Sequence, residues 1–248
     1  MKSLKAKLIV CNVLLGITLL LLLGSTFAYF TDRNEISNTL TSGNVSIKLT
    51  EAAVVYDESG NLVADDSVPR IVGQKAGATH HYGTVHPGQI IHKDPIIENV
   101  GSEKAWLAAK ITLTDGSGDL HQVIGFEDSD NLDLTYLFSG GVLNPGFRVG
   151  EWQGFEDVWY SDGFAMVQVP NRSEGSYDFY FFFRQEKSQN DSVMLFDTLT
   201  IPDDWDNEQL SNLKDFKITV RAFGVQTKGF ADCYSAMTTA FPDYFTLN

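Results

Sequence analysis

The chain has 248 residues, of which 43% are hydrophobic, and its formal net charge at pH 7 is −14. This length is sufficient for one large β domain that buries its own hydrophobic core. An acidic surface repels nucleic acids and anionic membranes, so we expect neither of them as a partner.

The N-terminus has the layout of a secretory signal peptide. Three lysines (Lys2, Lys5 and Lys7) precede an apolar run over residues 8–23, and small residues follow. A run of this length is short for a membrane-spanning helix, which needs about 20 residues. We therefore expect a signal peptidase to cleave between Ala28 and Tyr29 and the mature protein to be secreted. The alternative is an uncleaved signal anchor, which would be the chain's one contact with a membrane.

The mature chain would be more acidic and would hold one cysteine. Removal of residues 1–28 leaves 15 basic and 32 acidic residues, a net charge of −17. Because Cys233 would be the one cysteine left, no intramolecular disulfide could form, and the fold must rely on its core, on ions or on assembly. We expect Cys233 to be a small core residue in a terminal helix.

Apolar and polar residues alternate through most of the remaining chain, which predicts β-strands. Residues 45–50 alternate strictly and follow a turn at residues 42–44. Further strands are predicted over 53–56, 90–97, 105–113, 134–138, 158–160, 165–169, 177–183, 193–201 and 216–226. Short helices are predicted over 205–213 and 231–241, the second ended by Pro242. Turn-joined strands favour an all-β, antiparallel sandwich of the jelly-roll or immunoglobulin-like type over a βαβ fold.

Two segments carry more specific expectations. Pro95 has no N–H to donate, so the strand over residues 90–97 should lie at a sheet edge or carry a bulge. The run Tyr180-Phe181-Phe182-Phe183 would aggregate if it were exposed, so it should form a buried central strand.

Four motifs in this order resemble the TasA/camelysin family of exported Gram-positive proteins, which a dedicated signal peptidase processes. They are Ala28-Tyr29-Phe30-Thr31-Asp32 with Asn38-Thr39-Leu40-Thr41-Ser42-Gly43 and the strand after it; Pro87-Gly88-Gln89 with Lys93-Asp94-Pro95; Asn99-Val100-Gly101-Ser102; and the strand 218–226 with Gly229-Phe230. Gln89 departs from the pattern, since the family usually has Asp there.

The resemblance implies a signal peptide over residues 1–28, a tail over 29–44 and a single jelly-roll domain over 45–248. It also implies a homopolymer, an extracellular matrix or cell-surface fibre in which the tail of one subunit completes the sheet of the next. A tail of roughly 15 residues could span about 50 Å when extended. Phe30, Ile36 and Leu40 would then fill pockets of the acceptor. Alternatively, the tail is a disordered leader or pairs within its own domain.

Some members of the family have been described as metallopeptidases, an activity that would need a metal site. The sequence has no His-Glu-x-x-His motif, and no catalytic residue is assigned. His86 and His92 flank the Pro-Gly turn and could meet across a hairpin to bind zinc. Asp128, Asp130 and Asp133 lie in an acidic run that could bind calcium, although Leu132 stands where an EF-hand needs an oxygen ligand. The alternatives are ordinary turn histidines and a solvated acidic loop.

The leading functional hypothesis is a non-enzymatic, secreted fibre subunit, with an accessory matrix protein as a further candidate partner. The first alternative is a camelysin-like cell-surface metalloendopeptidase. The second is a surface adhesin or carbohydrate-binding sandwich.

Overall fold

The computed structural model describes residues 31–33, 45–73, 86–115, 120–125, 131–143, 147–171, 175–206, 216–245 and 247. The proposed signal segment, its cleavage site at Ala28 and Tyr29, and the tail residues Phe30, Ile36 and Leu40 lie outside these residues. In the part of the chain that is described, no helix is long and apolar enough to cross a membrane.

Sixteen strands are present among the described residues. They are β1 (Thr31–Arg33), β2 (Ile47–Glu51), β3 (Val54–Tyr56), β4 (Leu62–Ala64), β5 (Ile71–Val72), β6 (Ile90–His92), β7 (Ile96–Asn99), β8 (Ala105–Asp115), β9 (Phe138–Ser139), β10 (Arg148–Trp152), β11 (Phe155–Tyr160), β12 (Phe164–Asn171), β13 (Ser176–Phe183), β14 (Ser192–Met194), β15 (Thr198–Thr200) and β16 (Phe216–Gln226). Three short α-helices accompany them: α1 (Leu120–Ile124), α2 (Cys233–Ala240) and α3 (Pro242–Phe245).

The strands form one large sheet and two smaller sheets. The large sheet has the order β1-β16-β8-β13-β12-β11-β10, and the smaller ones have the orders β14-β7-β2-β5 and β3-β4-β6-β15-β9. Neighbouring strands are antiparallel, with one parallel contact between β4 and β6. The predicted all-β, antiparallel sandwich with few short helices is therefore confirmed.

The main core lies between the large sheet and the two smaller sheets. From the large sheet, Leu107, Ile111 and Phe179 point into it, and the facing layer contributes residues such as Ile97 and Leu199. All of these side chains are buried. Because side chains alternate along a strand, the strands of the large sheet also send residues to the opposite face.

That opposite face forms an outer core with the C-terminal helices. Asp232 caps α2 by accepting a hydrogen bond from the main-chain N–H of Ser235, at 2.7 Å. Cys233 is buried at the start of α2, and its Sγ donates to the carbonyl oxygen of Leu107 at 3.0 Å. Burial raises the pKa of the Cys233 thiol far above its usual range, so the thiol is unreactive in the folded protein.

The C-terminal helix ends before Pro242, as predicted, since α2 stops at Ala240 with Phe241 as its C-cap. Pro242 then opens a second short helix, α3, because proline at the first helical position lacks only an N–H that would have no partner within the helix. Phe245 from α3 and Phe241 before it then pack on the outer face of the large sheet, with Phe223 between them.

The aromatic run Tyr180-Phe181-Phe182-Phe183 forms a buried central strand, as predicted. It lies in β13, between β8 and β12, and none of its four side chains is more than 5% exposed. Phe181 and Phe183 face the main core, and Tyr180 and Phe182 face the outer core. One strand therefore contributes to both cores.

Pro95 divides a predicted strand instead of placing it at an edge. Residues 90–97 split into β6 and β7, which lie in different sheets. Residues 193–201 also split, into β14 beside β7 and β15 beside β6. The register is the same on both sides of the break, since Lys93 N–H donates to Asp197 O and Leu195 N–H donates to Pro95 O, each at 3.0 Å. A single bent ribbon therefore joins the two smaller sheets.

The strand predicted over residues 134–138 is largely wrong. Leu134–Tyr136 is a 3-10 helix because the Asp133 side chain caps it, and β9 starts only at Phe138. The helix predicted over residues 205–213 lies mostly outside the described residues.

Gly224 marks the closest approach of the large sheet to β2. A Cβ atom at this position would lie 2.5 Å from Ile47 Cγ2. We therefore expect Gly224→Ala to lower the free energy of unfolding by about 1–3 kcal/mol, because the two sheets would have to move apart. Urea denaturation measures this change. Gly163→Ala is the control, since its Cβ would have ordinary contacts, and an equal loss in both variants would contradict the packing argument.

Candidate functional site

The N-terminal strand β1 pairs with one end of β16 at the edge of the large sheet. β1 pairs with β16 so that Thr31 lies opposite Val225 and Arg33 lies opposite Phe223. β16 pairs along its whole length with β8 on its other side. Within the described residues, 216–222 of β16 have no strand on the β1 side. We call this stretch the open edge.

The open edge has an apolar inner side and a basic outer side. Ile218, Val220 and Ala222 are buried in the main core. Lys217 and Arg221 point the other way and are exposed. A strand added here would satisfy the edge's main-chain groups, and it would fit best with apolar residues on its inner side and an acidic residue on its outer side.

The end of β16 that β1 covers is braced from outside by the C-terminal helices. The Phe223 ring lies 5.1 Å from the Phe241 ring, 5.2 Å from the Tyr244 ring and 4.8 Å from the Phe245 ring. These tilted and edge-on contacts fix the strand's position where β1 pairs with it.

A second notable feature is a buried ion pair that the sequence analysis did not anticipate. Lys93 and Glu51 have side chains that are 1% and 2% exposed, and Lys93 Nζ lies 2.6 Å from Glu51 Oε1. Glu51 follows Ile47 and Leu49 at the alternating spacing of β2, so the strand pattern itself points its side chain inward. That spacing was the signal that could have identified it.

Asp94 joins this ion pair to a cluster of polar groups. Its Oδ1 accepts a hydrogen bond from Ala52 N–H at 2.7 Å, and its Oδ2 lies 2.7 Å from Arg70 Nη1. Arg70 also donates to Thr50 Oγ1 at 3.3 Å and to the Asp94 carbonyl oxygen at 3.0 Å. The cluster ties β2 to the Lys93-Asp94-Pro95 break, so it holds the two smaller sheets together.

His86 and His92, the candidate zinc ligands, have other contacts. His92 Nε2 lies 3.4 Å from Asp94 Oδ2, whose nearer neighbour is the Arg70 guanidinium. His86 is exposed, and its main-chain N–H donates to Gln89 Oε1 at 3.2 Å. An arginine bound to the same carboxylate disfavours a cation at that position.

Of the three candidate calcium ligands, one lies among the described residues. Asp128 and Asp130 lie outside the described residues. Asp133 is described, and its Oδ1 accepts hydrogen bonds from the N–H and the hydroxyl of Thr135 at 2.9 and 2.6 Å. Across the described parts of the chain, no group of three or more His, Cys, Asp or Glu side chains could hold a metal ion.

Gln89 has a structural role in the Pro-Gly turn. Gly88 adopts a φ of 73°, which suits glycine, and Gln89 N–H donates to His86 O at 3.1 Å to close the turn. The buried Gln89 side chain donates from Nε2 to Gly60 O at 2.9 Å. The amide therefore attaches the turn to the loop between β3 and β4.

Comparison with protein families gives one match. The family model described as camelysin metallo-endopeptidase matches residues 3–72. The resemblance to the TasA/camelysin family is confirmed over this part of the chain, which includes the tail, β2 and the loop that carries Arg70. No characterised protein and no solved structure matches the chain.

The buried ion pair predicts a test by substitution. We expect Lys93→Met to lower the free energy of unfolding by about 3–5 kcal/mol, because it leaves the Glu51 carboxylate buried without its ammonium partner. The double variant Lys93→Met, Glu51→Leu should recover most of that loss, since no uncompensated charge remains. Urea denaturation compares the two, and a double variant no more stable than the single one would refute the explanation.

Proposed function

Since residues 3–72 match the camelysin family model, we propose that the chain is a secreted structural subunit that assembles into extracellular matrix or cell-surface fibres. A signal peptidase would free the tail by cleaving between Ala28 and Tyr29. The N-terminal strand of one subunit would then complete the large sheet of the next. An accessory matrix protein remains a further candidate partner.

The observation that carries the proposal is the edge of β16 beside β1. Among the described residues, the chain pairs a strand with three of the eleven positions of that edge. Strand pairing makes the same hydrogen bonds whether the added strand comes from the same chain or from a neighbour. Exchange between subunits therefore has a small energetic difference to overcome, and a high subunit concentration would favour it over pairing within one chain.

The register of β1 on β16 makes the proposal specific. If the pairing continues along the tail with the observed register, Ile36 comes opposite Val220 and Leu40 opposite Phe216. Phe30, at the other end of β1, would come opposite Gln226. In that register all three tail residues would lie on the side of the strand that faces the main core, which fits their proposed role in acceptor pockets.

The same register would also pair opposite charges on the outer side. Glu35 would come opposite Arg221, which is exposed. Opposite charges directly across a strand pair stabilise it, whereas like charges destabilise it. In this register the tail would place an acidic residue opposite Arg221 on the outer side, and on the inner side Ile36 and Leu40 would alternate with the polar residues Asn34 and Asn38.

A cysteine pair split between two copies tests the proposed exchange. In the mature protein, one variant carries Ser37→Cys and another carries Thr219→Cys, positions that the register places opposite each other. Cβ atoms of opposite residues lie about 4.5–5.5 Å apart, which is compatible with a disulfide after a small adjustment. We expect mild oxidation of the mixture to give covalent heterodimers. Cys233 does not interfere because it is buried.

The control mixture combines Ser37→Cys with Ser192→Cys, an exposed position on β14. Comparable heterodimer yields in both mixtures would contradict the register.

Electron microscopy of the mature protein and of a variant lacking residues 29–41 tests assembly directly. Fibres should form only with the tail, and if both proteins stay monomeric under all assembly conditions the fibre function is wrong.

The description of the matching family favours a second candidate function, a cell-surface metalloendopeptidase. We expect the mature protein not to cleave casein, because the chain has no His-Glu-x-x-His motif and Asp94, beside His92, is bound by Arg70. Casein cleavage with and without a chelator, together with metal analysis, measures this. Chelator-sensitive cleavage by the purified protein would establish the enzyme instead.

A further inference from the structure

The second edge of the large sheet is formed by β10, and no strand in the described part of the chain lies beyond it. Arg148, Val149 and Glu151 on this strand are exposed, and Val149 reaches 56%. Such an edge presents unpaired main-chain groups and can pair with another strand. No proline interrupts β10 to prevent this.

The β10–β11 hairpin holds this edge in a fixed position. Gln153 and Gly154 have φ values of 52° and 84°, which are typical of a tight two-residue hairpin turn. The Trp152 and Phe155 rings lie 5.5 and 6.0 Å from the Tyr234 ring on α2, in edge-on contacts. Gln153 Nε2 also donates to Asp232 Oδ2 at 3.3 Å. The edge is therefore preformed, so little ordering would accompany its pairing.

We propose that β10 is a lateral contact surface and that its partner is the β10 strand of a second copy of this chain, paired antiparallel. This proposal rests on the fibre function proposed above, because it concerns how fibres associate sideways. β10 carries one basic and one acidic residue and is therefore neutral in a chain whose net charge is −14. Elsewhere the acidic surface keeps copies apart, whereas this strand adds no repulsion.

Charge also selects the direction and register of the contact. In a parallel, in-register pair, Arg148 would face Arg148 and Glu151 would face Glu151, which is unfavourable. An antiparallel pair centred on Val149 instead places the two exposed Val149 side chains against each other. Arg148 then lies opposite Gly150, which leaves room for its long side chain, and Glu151 lies opposite Phe147.

The short length of the edge explains why the contact would act between fibres. Five residues span about 17 Å, which is little contact for a stable dimer of free subunits. A fibre repeats the same edge in every subunit, so many weak contacts act together. Free subunits therefore pair only weakly and briefly, whereas fibres form bundles.

Cysteine trapping tests the contact without relying on fibres. Val149→Cys should give disulfide-linked dimers several-fold faster than Val100→Cys, the control, when each mature protein is oxidised at high concentration. Val100 is also exposed, but it follows β7 and is not on this edge. Equal rates for the two variants would overturn the proposal, whether or not the protein forms fibres.

Charged variants at the same two positions test the consequence for fibres. Val149→Lys should still form single fibres but lose bundles in electron micrographs, and Val100→Lys should form both. Unfolding curves confirm that both variants fold, which we expect because both positions are exposed. Bundles that persist in Val149→Lys would overturn the proposal, while absence of single fibres in the unsubstituted protein would refute the fibre function separately.

Discussion

The long antiparallel ladder between β8 and β16 is the interaction on which the rest of the structure depends. The two strands pair over eleven residues, from Ala105 opposite Gln226 to Asp115 opposite Phe216. Their inward side chains build the main core and their outward ones build the core beneath the C-terminal helices. Because the second side of β16 pairs with β1, the strand that contributes to both cores also holds the N-terminal strand.

Much of this arrangement was accessible from the sequence because it follows from local patterns. Strict alternation predicted β2 and β16, and the aromatic run at residues 180–183 predicted a central strand because no other position would bury it. Turn chemistry at Pro87-Gly88 also agreed with the structure. These features depend on neighbours along the chain, so one sequence is enough to infer them.

Features that depend on distant partners were harder to predict. Pro95 was expected to mark an edge or a bulge, but in the folded chain it marks where one ribbon passes between two sheets, a role set by its pairing with Leu195. The 3-10 helix at Leu134–Tyr136 replaced a predicted strand because the Asp133 side chain competes for its backbone. The contacts around the candidate metal ligands could not be predicted either, since Arg70 reaches Asp94, the neighbour of His92, from a separate loop. The pairing of β1 with β16 was likewise not predictable, because it joins segments that are distant in the sequence.

The buried thiol of Cys233 has a consequence for the conditions under which the protein can function. The fold is held by its two cores and by the ion pair of Lys93 and Glu51, and Cys233 takes part only as a packed side chain with a hydrogen bond to Leu107. Its folding therefore needs no oxidation step and no enzyme that rearranges disulfides. Because the thiol is shielded and protonated, oxidants and reductants in solution would leave it unchanged as long as the domain stays folded.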